Sequence, residues 1–496
     1  MLKFIDETMR DGPQSLWATR MDTRTMLEAS PLINKAGFDR ATVISGASFE
    51  TAVRFLGDDP WERMRLVRSY LPDTDIDILI RSRNLFSWNR YPDEVVELLF
   101  RCLQRNGAKS VKVFDGLNDV SNIAAHCRIG KKLGLQVTGM ITYSKSPIHT
   151  DEHYAQKARE YLDLGVDGIV VADASGILDG PRTVLLLAAI NRGAANRLPI
   201  EFYAHASMGL AHDSYRAALK AGVSAVTTAA EPLANGESLP ATHDIVRIAS
   251  DLGIPVPLDM DVVRRLDDYM YWAAYREDKQ VFPLATFDPV TYDRFVEHQI
   301  PGGMISNFRN QLREAGLMHR LDEVLHEAGR VRAELGYPIM VTPFSQFVGV
   351  QATLNIIQGE RYKTIPNEVR LFALGYYGST GAPIDPNVLD RILNGKSAER
   401  IVLKDFYEER ILDDFRQQNG PFRSDEELLL HLFYGRPTVE AMEKNKNVFM
   451  GGNAIKTPLK ILVEELTKQT TIKALRIEKR GVAGNRDSLR IAMDYA

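Results

Sequence analysis

The sequence predicts a (β/α)8 TIM barrel followed by a mainly helical C-terminal region, on three observations. Eight short β-branched or apolar runs, at 2–5, 40–44, 76–80, 110–114, 136–142, 168–172, 200–205 and 225–228, follow one another every 25 to 38 residues or so. Amphipathic stretches lie between them, as at 92–105, 153–164 and 213–221, the alternation expected of a parallel sheet wrapped by helices. After about residue 255 the strand-like runs stop and a helical pattern takes over to about 468. Several helical stretches run into a glycine just ahead of the next strand, at Gly107, Gly134, Gly165 and Gly222, where a helix C-terminus favours a residue tolerant of positive φ. The expected organisation is a barrel over 1–255, a helical region over 256–470 in which 311–335 and 386–394 are typical, and a closing hairpin over 471–496, its strands at 471–480 and 487–493 around 481–485.

Composition narrows the class of partner. The 496 residues are 45% hydrophobic and 25% charged, with a formal net charge of −4. No basic excess points to nucleic acid or to an anionic membrane. No apolar run approaches the roughly 18 residues of a bilayer span, and no basic segment followed by an apolar core opens the chain, so the expected location is cytoplasmic. Cys102 and Cys127 are too few for a disulfide framework and wrongly spaced for a zinc ribbon; they read as small buried hydrophobes.

A barrel carries its chemistry at the C-terminal ends of its strands, whatever their separation in sequence. The first run delivers Arg10-Asp11-Gly12-Pro13-Gln14-Ser15. There an Asp can hold a divalent cation while the Arg neutralises a carboxylate or enolate oxygen; the plainer reading is a surface ion pair before a turn. Later runs deliver Arg81 and Asn84, Asp115 and Asn118, Tyr143 and His149, Asp173, His205, and finally Asn235, Gly236 and Glu237. Two arginines among carboxylates suggest a small anionic substrate, because Arg pairs with a carboxylate through two parallel hydrogen bonds. Asp115 and Asp173 read equally well as caps of the next helix, Asn118 and His149 as organisers of their loops, and His205 as a core histidine.

The stretches Thr8-Met9-Arg10-Asp11-Gly12-Pro13-Gln14-Ser15-Leu16, Gly46-Ala47-Ser48-Phe49-Glu50-Thr51, Phe114-Asp115-Gly116-Leu117-Asn118-Asp119, Ser146-Pro147-Ile148-His149-Thr150, Gln299-Ile300-Pro301-Gly302-Gly303-Met304 and Val341-Thr342-Pro343 carry a family resemblance. Over residues 1 to about 400 the chain resembles the carboxyltransferase component of pyruvate carboxylase, oxaloacetate decarboxylase and transcarboxylase. The resemblance implies a metal-containing barrel whose helical C-terminal portion forms a funnel over the mouth. It implies an ion, Zn or Mn, held by an Asp, a His-x-His pair and a carbamylated Lys, which polarises the 2-oxo group of pyruvate or oxaloacetate. Asp11 and His205 match two of those ligands, but Tyr203 stands at the first His, a possible additional ligand, and Ala172 stands at the Lys. Glu237 occupies the position of the threonine that passes a proton between enolate and biotin, and Trp88 that of an aromatic hydroxyl after the Arg81 loop. Arg10, Gln14 and Arg81 remain as substrate-binding and catalytic candidates, with Glu237 as a further catalytic one.

No Met-Lys-Met-like hairpin marks a biotinyl domain in 440–496, so biotin, if used, is expected on a separate carrier chain. A homo-oligomer and a separate carrier or carboxylase subunit are the expected partners. Two functions follow. In one the protein is an enzyme of carbon–carbon bond chemistry, by carboxyl transfer, decarboxylation or lyase action, on a small 2-oxo acid or polycarboxylate. In the other it is a non-catalytic structural or regulatory homologue within a carboxylase-like complex.

Overall fold

The computed structural model describes residues 1–301, 312, 313, 316–394 and 403–446, together with the backbone of 474–480 and 486–492. Eight parallel strands close into one barrel in chain order. They are β1 (Lys3–Asp6), β2 (Arg40–Ser45), β3 (Asp75–Arg81), β4 (Ala108–Phe114), β5 (Gln136–Thr142), β6 (Gly168–Asp173), β7 (Ile200–Ala204) and β8 (Ala225–Thr228). Closure is made by β1, which pairs Ile5 with Arg40 on one side and Phe4 with Val226 on the other. Each predicted run falls on one strand with its ends within two residues, and β7 stops at Ala204, leaving His205 just beyond its end.

The strands read as near-continuous apolar runs because both their faces are covered. Val43, Ile78, Val113, Ile141, Val171 and Phe202 are fully buried, and each such side chain contributes about 1.5–3 kcal/mol. The helices between them are amphipathic: Asp93–Arg105 turns Val95, Val96, Leu99, Phe100 and Leu103 inward. Their starts are fixed chemically, with Asp22 accepting from the Thr25 N–H, Thr150 from that of His153 and Asp179 from that of Arg182. Gly165 ends Asp151–Leu164 at φ 79°, the left-handed conformation expected there.

One compact unit spans Met1–Asn447, so barrel and helical region share a core. The helices Leu321–Glu334 and Phe344–Gln358 pack around Phe344, Phe347, Phe372 and Tyr377, and Leu117 of the β4 loop joins them. A Cβ on Gly116 would lie 2.3 Å from the Phe344 ring, which is why that loop needs glycine. The stretch expected as one helix over 311–335 begins later, at Leu321, after a 3-10 turn at Met318–Arg320. Gly316 at φ 70° breaks the helical path ahead of it, and Gln311 lies outside the described residues. The second unit is Val448–Ala496; within it β9 (Ala474–Arg480) and β10 (Arg486–Ala492) pair antiparallel, while the turn expected at 481–485 lies outside the described residues. Among the described residues no helix is long and apolar enough to cross a membrane.

Candidate active site at the barrel mouth

Past β1 the chain enters a short helix, Asp11–Leu16, with Arg10 at its start. Gly12 is required by packing, since a Cβ there would meet that of Leu233 at 2.6 Å. Arg10 is clamped at both ends: its Nε and Nη2 lie 2.7 Å from Glu7 Oε2 and its Nη1 lies 3.0 Å from Asp11 Oδ1. Burial alone would weaken this guanidinium's hold on its proton, but Glu7, Tyr203 and Asp11 outweigh it and raise the pKa well above the usual Arg value. Glu7 is held in turn by the Thr42 hydroxyl at 2.8 Å and Lys112 Nζ at 3.3 Å.

Asp11 is the centre of the site. Its Oδ1 accepts from Tyr203 Oη at 2.5 Å and from Arg10, and its Oδ2 accepts from Ser238 Oγ at 3.2 Å and faces His205 Nε2 at 3.3 Å. Tyr203 Oη and His205 Nε2 are 2.8 Å apart, so the hydroxyl bridges imidazole and carboxylate. Burial would raise the Asp11 pKa, yet the charges of His205 and Arg10 pull it far below the usual carboxylate range. Burial and the Asp11 charge keep the Tyr203 phenol protonated. Burial would lower the His205 pKa, and Asp11 raises it instead.

These groups border a cavity of about 280 Å³. Arg10, Asp11, Gln14, Arg81, Tyr203, His205 and Glu237 all line it, although they are spread from residue 10 to residue 237. Leu79, Phe114, Met140 and Ala172 give it an apolar side, and Pro301, Val341 and Thr342 of the helical region cover it. Gln14 Oε1 is fixed by the Ser45 hydroxyl at 2.9 Å. Arg81 lies 4.9 Å from the centre of the Trp88 ring, which is anchored by its Nε1 on Glu50 at 3.0 Å. The Arg81 Nε is buried without a hydrogen-bond partner, and burial pushes its pKa down to about 10. Glu237 is exposed at the rim.

The remaining sequence candidates organise loops. Asp115 accepts from the N–H groups of Leu117 and Asp119, and Asp173 from those of Ser175 and Leu178. Asn118 ties its side chain to both backbone groups of Thr142. His149 pairs with Ser146 Oγ at 2.7 Å, and Asn84 donates to the carbonyls of Trp88 and Asn89. Tyr143 lies with His149 in a different pocket, and neither Asn235 nor Gly236 lines the mouth cavity. Sequence reasoning missed Glu7, Ser238 and Lys112. Only Glu7, three residues before Arg10 at a strand end, left a signal that could have found it.

Comparison with known proteins agrees with this architecture. The conserved carboxylase domain model matches residues 295–480. The chain is 34% identical over 477 residues to a pyruvate carboxylase subunit of Methanocaldococcus jannaschii, covering 94% of this chain and 82% of that one. It is 35% identical over 381 residues to the methylmalonyl-CoA carboxyltransferase 5S subunit of Propionibacterium freudenreichii subsp. shermanii, covering 77% of this chain and 74% of that one. The complete multifunctional pyruvate carboxylase from Rhizobium etli superposes with a TM-score of 0.80 at 27% identity, over 89% of this chain and 45% of that one.

Proposed function

This chain belongs to the carboxyltransferase family of the Methanocaldococcus pyruvate carboxylase subunit and the methylmalonyl-CoA carboxyltransferase 5S subunit, and we propose that it transfers a carboxyl group to or from a small 2-oxo acid bound at the barrel mouth. The observation that carries the reading is Arg81: its Nη1 reaches the Ser87 carbonyl at 3.4 Å, but its Nε is buried without a partner, and the side chain borders the same cavity as Arg10. Such a group is costly unless an anion completes it, and a substrate carboxylate does so.

With its carboxylate on Arg81, a 2-oxo acid directs its keto oxygen toward Arg10, Tyr203 and His205. Their N–H and O–H groups take up the charge that develops there as the enolate forms. Glu237, the exposed carboxylate at the rim, accepts the proton from the carbon next to the keto group. The C–H pair then becomes the new bond to the incoming carboxyl carbon as that carbon's bond to its carrier nitrogen breaks; the nitrogen takes up the proton held on Glu237, and the reverse sequence decarboxylates the product. Biotin supplies the mobile carboxyl group, and we place it on a separate carrier chain in the cytoplasm, in keeping with the subunit character of the two relatives.

The alternative, a structural or regulatory homologue, draws on one observation: Ala172 and Tyr203 leave two of the four expected metal-ligand positions without a ligand of the expected type. Thermal unfolding of the purified chain with pyruvate, oxaloacetate and 2-oxoglutarate separates the readings. A rise in Tm with at least one oxo acid, absent in Arg81→Gln, and biotin-stimulated oxaloacetate decarboxylation are expected. No shift and no turnover with any of them would overturn the catalytic proposal in favour of the structural one.

A further inference from the structure

The donor set at the mouth does not fit a divalent ion. Of the side chains around Asp11, one carboxylate and one imidazole are of ordinary ligand type, where a closed or catalytic site uses three or four. Asp11 has no free oxygen, since Oδ1 is taken by Tyr203 and Arg10 and Oδ2 by Ser238 and His205. An ion on Asp11 would also sit beside the Arg10 guanidinium, 3.0 Å from that carboxylate, and like charges at such range repel. Ala172 lies among Leu79, Met140 and Val170 and has no donor atom.

The charges of the lumen give an independent argument. Arg40, Lys112 and Arg10 face Glu201, Asp77, Glu7 and Asp11 in one connected network. Asp11 therefore has a built-in cation, Arg10 at 3.0 Å, and needs no metal ion to balance its charge. Among the described residues, the group of carboxylates and imidazoles close enough to hold an ion is elsewhere: Glu231, His243 and Asp267, whose ligand atoms all lie within 4.8 Å of one another.

We infer that the barrel mouth works without a metal ion, and that Arg10, Tyr203 and His205, assembled on Asp11, take its place as the electrophile on the substrate's keto oxygen. The absence of the ion rests on the geometry alone; the electrophilic role rests on the function proposed above. Tyr203 is the distinctive member, because its hydroxyl bridges Asp11 and His205 on the cavity wall. Its one hydrogen is given to Asp11 in the ligand-free site; it turns to an arriving ligand oxygen as His205 Nε2, 3.3 Å from Asp11, takes over that carboxylate.

The test uses the full chain, treated with EDTA and exchanged into metal-free buffer. Elemental analysis should find less than about a tenth of a metal per chain in His243→Ala, which removes the outer trio as a source. Tm in that variant should not rise on adding Zn²⁺ or Mn²⁺. Tyr203→Phe should lower kcat for oxaloacetate decarboxylation by roughly 10²-fold, with KM changed much less, as expected of a donor that acts in the transition state. One chelator-resistant Zn or Mn per chain that persists in His243→Ala and is lost in Asp11→Asn, or in His205→Gln should the former fail to fold, would overturn the inference. A Tyr203→Phe enzyme with unchanged kcat would overturn the role given to Tyr203. Failure of the functional proposal registers differently, as no ligand-induced shift and no turnover while the metal content stays near zero.

Discussion

Two ionic clusters share the lumen of the barrel and are built from the same kinds of side chain, yet they do different work. Toward the N-terminal end, Lys112 lies 2.6 Å from Glu201, 3.1 Å from Asp77 and 3.3 Å from Glu7, and Arg40 lies 2.8 Å from Glu201. The contact from Lys112 on β4 to Glu201 on β7 joins strands that are not neighbours, so these groups meet inside the barrel. Each has an opposite charge beside it and none lines the mouth cavity. At the mouth, Arg10 and Asp11 are equally well paired, but Arg81 has a buried Nε with no partner and faces the cavity. Glu7 belongs to both clusters, holding Arg10 in place from below. A buried charge whose partner is built in holds the fold; one whose partner is missing beside a cavity marks where a ligand supplies it.

Breaking the lower cluster should have the largest effect. Lys112→Met leaves Glu7, Asp77 and Glu201 with one fewer cation in a site closed to water, and removing one partner of a buried ion pair costs about 3–5 kcal/mol. Urea unfolding measures it. A loss under about 1 kcal/mol would mean that Arg40 alone neutralises the carboxylates, and the contrast between the two clusters would weaken.

At the mouth the prediction splits. Arg81→Met should abolish the stabilisation by pyruvate or oxaloacetate, a loss of about 1.5–3 kcal/mol of binding free energy, because hydrogen bonds to a charged group are worth that much. The ligand-free stability should stay level or rise, since the variant no longer buries an unpaired Nε. A destabilised ligand-free protein with undiminished ligand response would show that Arg81 belongs with the structural charges.

The barrel was legible because parallel strands covered on both faces leave uninterrupted apolar runs, and eight of them at helix-plus-strand spacing admit few other folds. That regularity also placed Arg10, Arg81, Tyr203, His205 and Glu237 together in advance, since strand ends converge whatever lies between them. The lower cluster was not legible. Asp77, Lys112 and Glu201 are single charged residues inside strands, where an outward-facing solvated residue reads the same way, and only closure of the barrel turns them toward one another. The bridging role of Tyr203 was hidden for a similar reason: replacing a ligand names a loss, while the 2.5 Å hydrogen bond that replaces it exists only in three dimensions. The start of the helix at Leu321 was missed because a periodic apolar pattern runs on through Gly316, whose φ of 70° stops the helix regardless.

A smaller effect sharpens the comparison by separating charged from neutral burial. His126 is fully buried, 3.0 Å from the Ser82 carbonyl, and burial beside the Arg83 charge pushes its pKa down to about 3. Below its ordinary value of 6.5 the unfolded chain takes up a proton there and the native chain does not, so its contribution to stability falls as pH falls. His205 has the opposite sign: Asp11 raises its pKa, so its contribution is fully present below 6.5 and is lost as pH rises through the raised value. The His126 effect is isolated by comparing wild type with His126→Gln at two pH values. On moving from pH 7.5 to 5.5, linkage predicts that the wild type loses about 1.4 kcal/mol relative to the variant. A stability difference that stays constant across that range would show that His126 takes up its proton in the native state, and that the neighbouring arginines do not hold it neutral.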